Sequence, residues 1–279
     1  MDVFFDPIFL KHDTGLHPES AGRLELILDS LDKSRLKKPR DGEEFLPLAH
    51  TLEYIMQVKR ACESRGHLDM DTPVSPDTYE AACKAVGAAI DASESEGFAL
   101  VRPPGHHAFA ARGSGFCIFN NMAIAAIKLA ESRKRVFILD IDVHHGNGTE
   151  ALVLGKENIQ FLSMHQSPLY PGSGLVDRPP NVVNIPLPPE TGDKGYIEAL
   201  NRKVEPELKG FKPDVVGVSV GFDAYYLDHG SVSGNALNIT QETYGKIKGM
   251  LKPYKTFFAL EGGYNPQSIL EGAHALMEL

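Results

Sequence analysis

The sequence predicts an α/β fold, a mainly parallel sheet with helices on both faces, formed by a single domain over residues 1–279. Three observations predict it. Short β-branched and aromatic runs alternate with amphipathic stretches along the chain. The runs are apolar almost throughout, as strands buried on both faces must be. Polar, chemistry-bearing residues return together at the end of run after run, which is where parallel sheets hold ligands.

In chain order, VFF (3–5) reads as a first strand and ESAGRLELILDSL (19–31) as a helix, its apolar residues three and four apart. Ser75 before Pro76 predicts a capped start for a helix over PDTYEAACKAVGAAIDA (76–92). GFALV (97–101) is a strand, NNMAIAAIKLAES (120–132) a helix, and RVFILDID (135–142), IQFLSMH (159–165) and VVNIPLP (182–188) are strands. GYIEALNRKVEPEL (195–208) is a helix, DVVGVSVGFD (214–223) a strand, TYGKIKGMLK (243–252) a helix and TFFALEGG (256–263) the last strand. Asn265 before Pro266 caps a final helix, PQSILEGAHALME (266–278). No repeat, low-complexity tract or linker interrupts the series.

Composition narrows the class. Apolar residues make up 42% and charged residues 23%, values of an ordinary globular chain. The 37 acidic against 28 basic residues leave a net charge of −9, which argues against a nucleic-acid surface and mildly favours cationic ligands. No stretch reads as a signal peptide or a membrane span, so a cytoplasmic protein without membrane contact is expected. Cys62, Cys83 and Cys117 show no C-x-x-C spacing, cannot all pair, and read as reduced core residues. The sequence specifies no oligomeric state.

The strongest chemical signal is the end of RVFILDIDVHHGNG (135–148), where Asp140, Asp142 and His144 occupy alternate positions. In an extended backbone all three project to one face while Ile141 and Val143 project to the other. Two carboxylates and an imidazole on so apolar a strand require a cation or a hydrogen-bond network, because an unpaired buried charge costs several kcal/mol or shifts its pKa. A metal ion is the expected neutraliser. Other strand ends supply RPPGHH (102–107), Ser163 with His165, Asp223, and Glu261-Gly262-Gly263-Tyr264, so five distant segments converge on one rim. The prolines stiffen the loop that offers His106 and His107, and the glycines let Tyr264 turn toward the rim as a hydrogen-bond donor.

Taken in order, GHHA (105–108), LDIDVHHGNG (139–148), GFDA (221–224) and EGGY (261–264) resemble the histone deacetylase superfamily of zinc amidohydrolases. HPESAGRL (17–24), DTPVSPDTYEAA (71–82) and SMHQSPLYPGSG (163–174) resemble further elements of it, especially of class II deacetylases and their prokaryotic relatives, including acetylpolyamine amidohydrolases. The resemblance implies the arginase/deacetylase fold and a zinc ion on Asp142, His144 and Asp223, three protein ligands that leave a position open. Iron(II) or cobalt(II) would suit the same oxygen-rich donors. It implies His106 and His107 as tandem catalytic histidines partnered by Asp140 and Asn147, and Tyr264 as oxyanion donor. It implies a monovalent cation, K⁺, on Asp140, Ser163 and the carbonyls of Asp142, His144 and Met164. Gly115, Phe116, Tyr170 and Gly262 would line a narrow substrate tunnel, and His145 would be structural.

The activity so implied is removal of an acetyl or similar acyl group from an acylated amine, of the acetyl-lysine type, by attack of an activated water. An acetylpolyamine amidohydrolase is the alternative. From another class, a non-catalytic acyl-ligand binder would carry no working set of this kind, and acetate release with and without chelator separates the two. After GFDA the chain departs from the shorter DPLGG-like turn of relatives, so Tyr225, Tyr226 and His229 are expected to reshape the tunnel mouth.

Overall fold

The computed structural model of the protein describes residues 1–232 and 234–277. One sheet of eight strands runs through it in the order β2-β1-β3-β8-β7-β4-β5-β6, and every neighbouring pair is parallel. The strands are β1 (Val3–Phe4), β2 (Leu36–Lys37), β3 (Phe98–Ala99), β4 (Val136–Asp140), β5 (Ile159–Gln166), β6 (Val182–Leu187), β7 (Val215–Val220) and β8 (Thr256–Leu260). All seven expected strands are present. The eighth, β2, is a two-residue edge too short to carry a periodic signal.

Strand pleating sorts the core into two halves. Val136 and Ile138 of β4 join Phe257 and Ala259 of β8 in one apolar cluster, and Phe137 and Leu139 join Phe258 and Leu260 in the other. The first cluster is covered by α2 (Leu52–Glu63), α3 (Thr78–Ser95) and α4 (Asn121–Glu131). The second is covered by α1 (Glu25–Ser30), α6 (Asp193–Ala199), α7 (Glu205–Phe211), α8 (Gln241–Leu251) and α9 (Pro266–Met277). A short α5 (Asn147–Val153) follows β4. Each fully buried Phe, Leu, Ile or Val contributes roughly 1.5–3 kcal/mol, and this two-sided burial holds the central strands rigid beneath their loops.

Local chemistry moved several boundaries. The region 19–31 starts as a 3-10 turn over Ala21–Leu24 and becomes α-helical only at Glu25. Ser75 is not the cap of α3: its hydroxyl lies 3.0 Å from that of Thr78, and the helix begins there, two residues beyond Pro76. Asn265 caps α9 as expected, accepting the N–H of Gln267 at 3.0 Å; the last residue of that expected helix, Glu278, lies outside the described residues. Between α6 and α7 a π-turn spans Leu200–Val204. Pro206 accounts for it, having no N–H for an i→i−4 bond and a ring that crowds the preceding turn. The helix α2 was not anticipated, although Thr51 caps it and Tyr54, Ile55, Val58 and Cys62 form its buried stripe. Cys62, Cys83 and Cys117 are free and buried. Among the described residues no helix is long and apolar enough to cross a membrane.

Candidate active site

The strand β4 ends at Asp140, and Asp142 and His144 lie in the bends that follow. The alternation expected to aim all three residues therefore stops early, and local hydrogen bonds replace it. Asp140 Oδ1 accepts the N–H of Asp142 at 3.2 Å, and Asp142 Oδ1 accepts that of His144 at 2.9 Å, two successive turns in which each carboxylate holds the backbone two residues on. The result is convergence by another route. Asp142, His144 and Asp223, the last just beyond β7, are all buried and offer ligand atoms within 4.8 Å of one another.

His144 Nδ1 lies 2.9 Å from Asp142 Oδ1 and 3.3 Å from Asp223 Oδ2. The second contact lacks hydrogen-bond geometry, and Asp223 Oδ2 is a buried oxygen without a hydrogen-bond partner. Glycine makes room for the pair: a Cβ on Gly262 would stand 2.1 Å from Asp223 Oδ2 and 2.6 Å from Asp142 Oδ2. Burial and the charge of Asp142 push Asp223 up to about 6. Burial also opposes ionisation of Asp142, but His106 and His144 outweigh it and hold that carboxyl well below the usual range. Burial would lower His144, yet the two carboxylates raise it to about 9. These directions share a cause, a buried pair of carboxylates that demands positive charge. An orphaned carboxylate oxygen within a two-carboxylate, one-imidazole donor set fits a divalent metal.

The tandem histidines sit on the loop after β3, held from beneath by Glu261, which accepts the N–H groups of Gly105 at 2.7 Å and His106 at 3.1 Å. Their rings are 4.0 Å apart but their partners differ. His106 Nδ1 meets Asp140 Oδ2 at 3.0 Å, and His107 Nδ1 meets the amide oxygen Asn147 Oδ1 at 2.8 Å. Desolvation works against charge on both rings, yet Asp142 and Asp140 raise His106 to about 10. For His107 burial is reinforced by the neighbouring imidazoles, and its pKa falls well below the ordinary value. Because Asn147 Oδ1 only accepts, His107 carries its proton on Nδ1 and leaves the Nε2 lone pair free.

A cavity of about 180 Å³ opens above this group, lined by Asp71, His107, Gly115, Phe116, His144, Tyr170, Val232 and Tyr264. Gly115 (φ +56°) and Phe116 (φ +72°) are both left-handed. At Gly115 a Cβ would meet His107 Cδ2 at 2.6 Å, so both the turn and the space exclude a side chain. The Phe116 turn is held by Thr72 Oγ1, which accepts its N–H at 3.1 Å, and Phe116 stands edge-on to the ring of Tyr264, centroids 5.9 Å apart. Burial pushes the Tyr264 phenol well above its ordinary pKa, which keeps it a donor. Gly262 is packed against the carboxylates and does not line the cavity.

Asp140 and Ser163 are registered partners on β4 and β5, and Met164 follows with its side chain in the core. The strand β5 continues to Gln166, so Ser163 lies inside it, its hydroxyl 3.0 Å from His165 Nδ1. The register sets the backbones of Asp140 and Ser163 side by side at the end of β4. His145 is engaged on both nitrogens, with Ser173 Oγ at 2.8 Å and Glu150 Oε2 at 3.0 Å, as a structural residue would be. Of the 225–229 segment, expected to reshape the tunnel mouth, Tyr225 and His229 are turned to other partners, and the exposed Tyr226 is not among the residues that line the cavity. Tyr225 is 1% exposed, donates to Glu271 at 2.7 Å and packs against Tyr244; His229 is turned toward Glu190, 3.2 Å away. Among the described residues of this loop, Val232 reaches the cavity. Sequence reasoning also missed Asp71 as a lining residue, although its segment, DTPVSP, stood out in the sequence.

Residues 17–279 match the family described as the histone deacetylase domain. The chain is 33% identical to a probable deacetylase of Archaeoglobus fulgidus, across 96% of this chain and 82% of that protein. Its structure is similar to the HD domain of HDA15, with a TM-score of 0.92, 32% identity and coverage of 100% of this chain and 90% of the other. It is also similar to an acetylpolyamine aminohydrolase from Burkholderia pseudomallei, with a TM-score of 0.86, 25% identity and coverage of 100% and 98%. With the family domain matched over nearly its whole length, the chain belongs to the histone deacetylase family of deacetylases and amidohydrolases.

Proposed function

We propose that the protein is a metal-dependent deacylase that hydrolyses the amide of an acylated amine, with acetyl-lysine-type side chains as the substrate class. One observation carries the reading: the ligand group Asp142, His144 and Asp223 lies at the foot of a confined cavity whose wall includes His107 and Tyr264. A divalent metal bound there, zinc on this donor set, supplies Lewis-acid polarisation of the amide carbonyl and acidifies a water. Everything else falls to the chain's own side chains.

The cavity walls of Phe116 and Tyr170 accept an unbranched aliphatic stem and exclude bulk water from the amide. Neutral His107 takes a proton from the attacking water at Nε2 as the new carbon–oxygen bond forms. His106 is anchored to Asp140, and its imidazole beside His107 disfavours protonation of that neighbour. The Tyr264 hydroxyl donates to the carbonyl oxygen, a bond that strengthens as that oxygen becomes anionic. A protonated imidazole then donates to the nitrogen as the carbon–nitrogen bond breaks, which yields a carboxylate and a free amine. A monovalent cation on Asp140, Ser163 and the carbonyls of Asp142, His144 and Met164 would stiffen the bends that carry the ligands.

A second reading, an acetylated polyamine as substrate, draws on the Asp71 carboxylate at the cavity wall, which suits a distal ammonium, and on the similarity to the acetylpolyamine aminohydrolase. The test is acetate release by metal-defined enzyme from acetyl-lysine peptides and from acetylated polyamines, with and without chelator. Chelator-sensitive release from peptides is expected. Release that survives metal removal, or none from any acylated amine, would overturn the proposal.

A further inference from the structure

Asp228 is fully buried, yet its carboxylate faces no cationic side chain among the described residues. It lies near Asp223, whose ionisation it disfavours. What surrounds it instead is one turn of backbone. Asp228 Oδ2 accepts the N–H groups of Tyr264 and Asn265, both at 2.9 Å; Oδ1 accepts Tyr264 N–H at 3.2 Å and the hydroxyl of Ser231. The N–H groups of Tyr264 and Asn265 immediately precede α9, a twelve-residue helix, whose N-terminal dipole favours an anion at that point. The stitching continues on both sides: Asn265 Nδ2 donates to the carbonyl of Leu227 at 2.8 Å, and Asn235 Nδ2 to that of Asp228 at 3.0 Å.

The opposite polarity of the same turn is held from the other side. Arg23 donates to the carbonyls of Glu261 and Gly263 and lies over the Tyr264 ring, 5.1 Å from its centroid. The turn is therefore clamped by its donors and its acceptors at once. Gly262 and Gly263 give it no rigidity of their own, since glycine ranges freely over backbone angles. We infer that Asp228 is a positioning residue for Tyr264: by gripping the N–H groups of Tyr264 and Asn265 it preorganises the phenol hydroxyl at the foot of the cavity. The inference rests on the proposed deacylase reading for its kinetic arm and on the turn alone for its structural arm.

Asp228→Asn is nearly isosteric and replaces one accepting oxygen with a donor that faces backbone N–H groups. On metal-loaded enzyme it should lower kcat at least tenfold, with KM within about threefold and metal content unchanged. In a Tyr264→Phe background the same substitution should change kcat by less than about twofold, because there is no hydroxyl left to position. Amide hydrogen exchange at residues 264 and 265 should quicken while that of 142–144 does not. Should Asp228→Asn fold poorly, Ser231→Ala removes a single bond to the carboxylate and should produce the same pattern more weakly. Equal fold losses with and without Tyr264, or unchanged exchange at 264 and 265, would overturn the positioning role. An inactive wild type would sink the deacylase reading, and the exchange measurement would then decide the clamp by itself.

Discussion

At the carboxyl end of the sheet a cavity of about 180 Å³ is lined by His107, His144 and Tyr264, while at the amino end a groove of about 680 Å³ lies among Met1, Glu96, Leu251, Tyr254, Phe258 and Met277. The larger space is not the better site. Both groups of side chains that could hold a metal ion among the described residues, Asp142-His144-Asp223 and His106-Cys117-Glu261, belong to the carboxyl end. There, buried charges are packed until glycine is required at Gly262, whereas at the amino end a Cβ on Gly245 or Gly249 would meet nothing within 4 Å. Convergent polar groups in a confined space give electrostatic leverage, and an open groove of single residues gives little.

The contrast breaks most plainly at the ligands. Asp142→Ala should leave metal content well below one ion per chain and reduce acetate release below detection, read by elemental analysis and assay on the same preparation. Full metal and full activity in that variant would remove the carboxyl end from the chemistry. Tyr264→Phe deletes one oxygen and little volume; kcat should fall on the order of 10²-fold with metal and thermal midpoint retained. A near wild-type kcat would show that the phenol is a wall and not a donor.

A subtler change sharpens the difference between the two histidines. His107 is held well below its ordinary pKa by burial and by the imidazoles of His106 and His144. In Asn147→Asp an anion beside Nδ1 would favour the protonated ring and raise that pKa. Activity that needs neutral His107 disappears as pH falls through its pKa, so the acidic limb of the kcat/KM profile should move upward, by about one unit or more. An acidic limb that stays in place in a folded variant would reassign the base. The smallest effect is expected at the other end. Gly249→Ala on α8 should stabilise the fold by about 0.5–1 kcal/mol through helix propensity, with kcat unchanged. A loss of kcat in that variant would mean that the two ends are coupled.

Much of this site could be read from the chain because its chemistry restricts residue types. Asp142, His144 and Asp223 stand at the ends of apolar runs where carboxylates and imidazoles need a reason, and the structure brings them together. The same logic did not extend to Tyr225. An aromatic residue beside a candidate ligand invites a place at the mouth, but its direction is set by Glu271 and Tyr244, which lie well beyond it in sequence. Helix α2 was missed although its cap, Thr51, and its apolar stripe, Tyr54, Ile55, Val58 and Cys62, stand in the sequence.

What the sequence determined by itself is the repeated alternation of buried strands and amphipathic helices, and with it the parallel sheet, since two-sided burial leaves that architecture few alternatives. It also determined which residues are chemically equipped to bind a cation and move a proton. Only the tertiary structure decided how they are aimed. The strand carrying Asp140 ends before Asp142, and carboxylate-to-backbone bonds complete the convergence that pleating alone would have produced. Asp228 and Glu261 hold the loops of Tyr264 and His106 by taking backbone N–H groups distant in the chain. The physical reason is that periodicity is a property of neighbours in sequence. A buried carboxylate's partner is whichever donor the folded chain places within about 3 Å, and no local pattern records it.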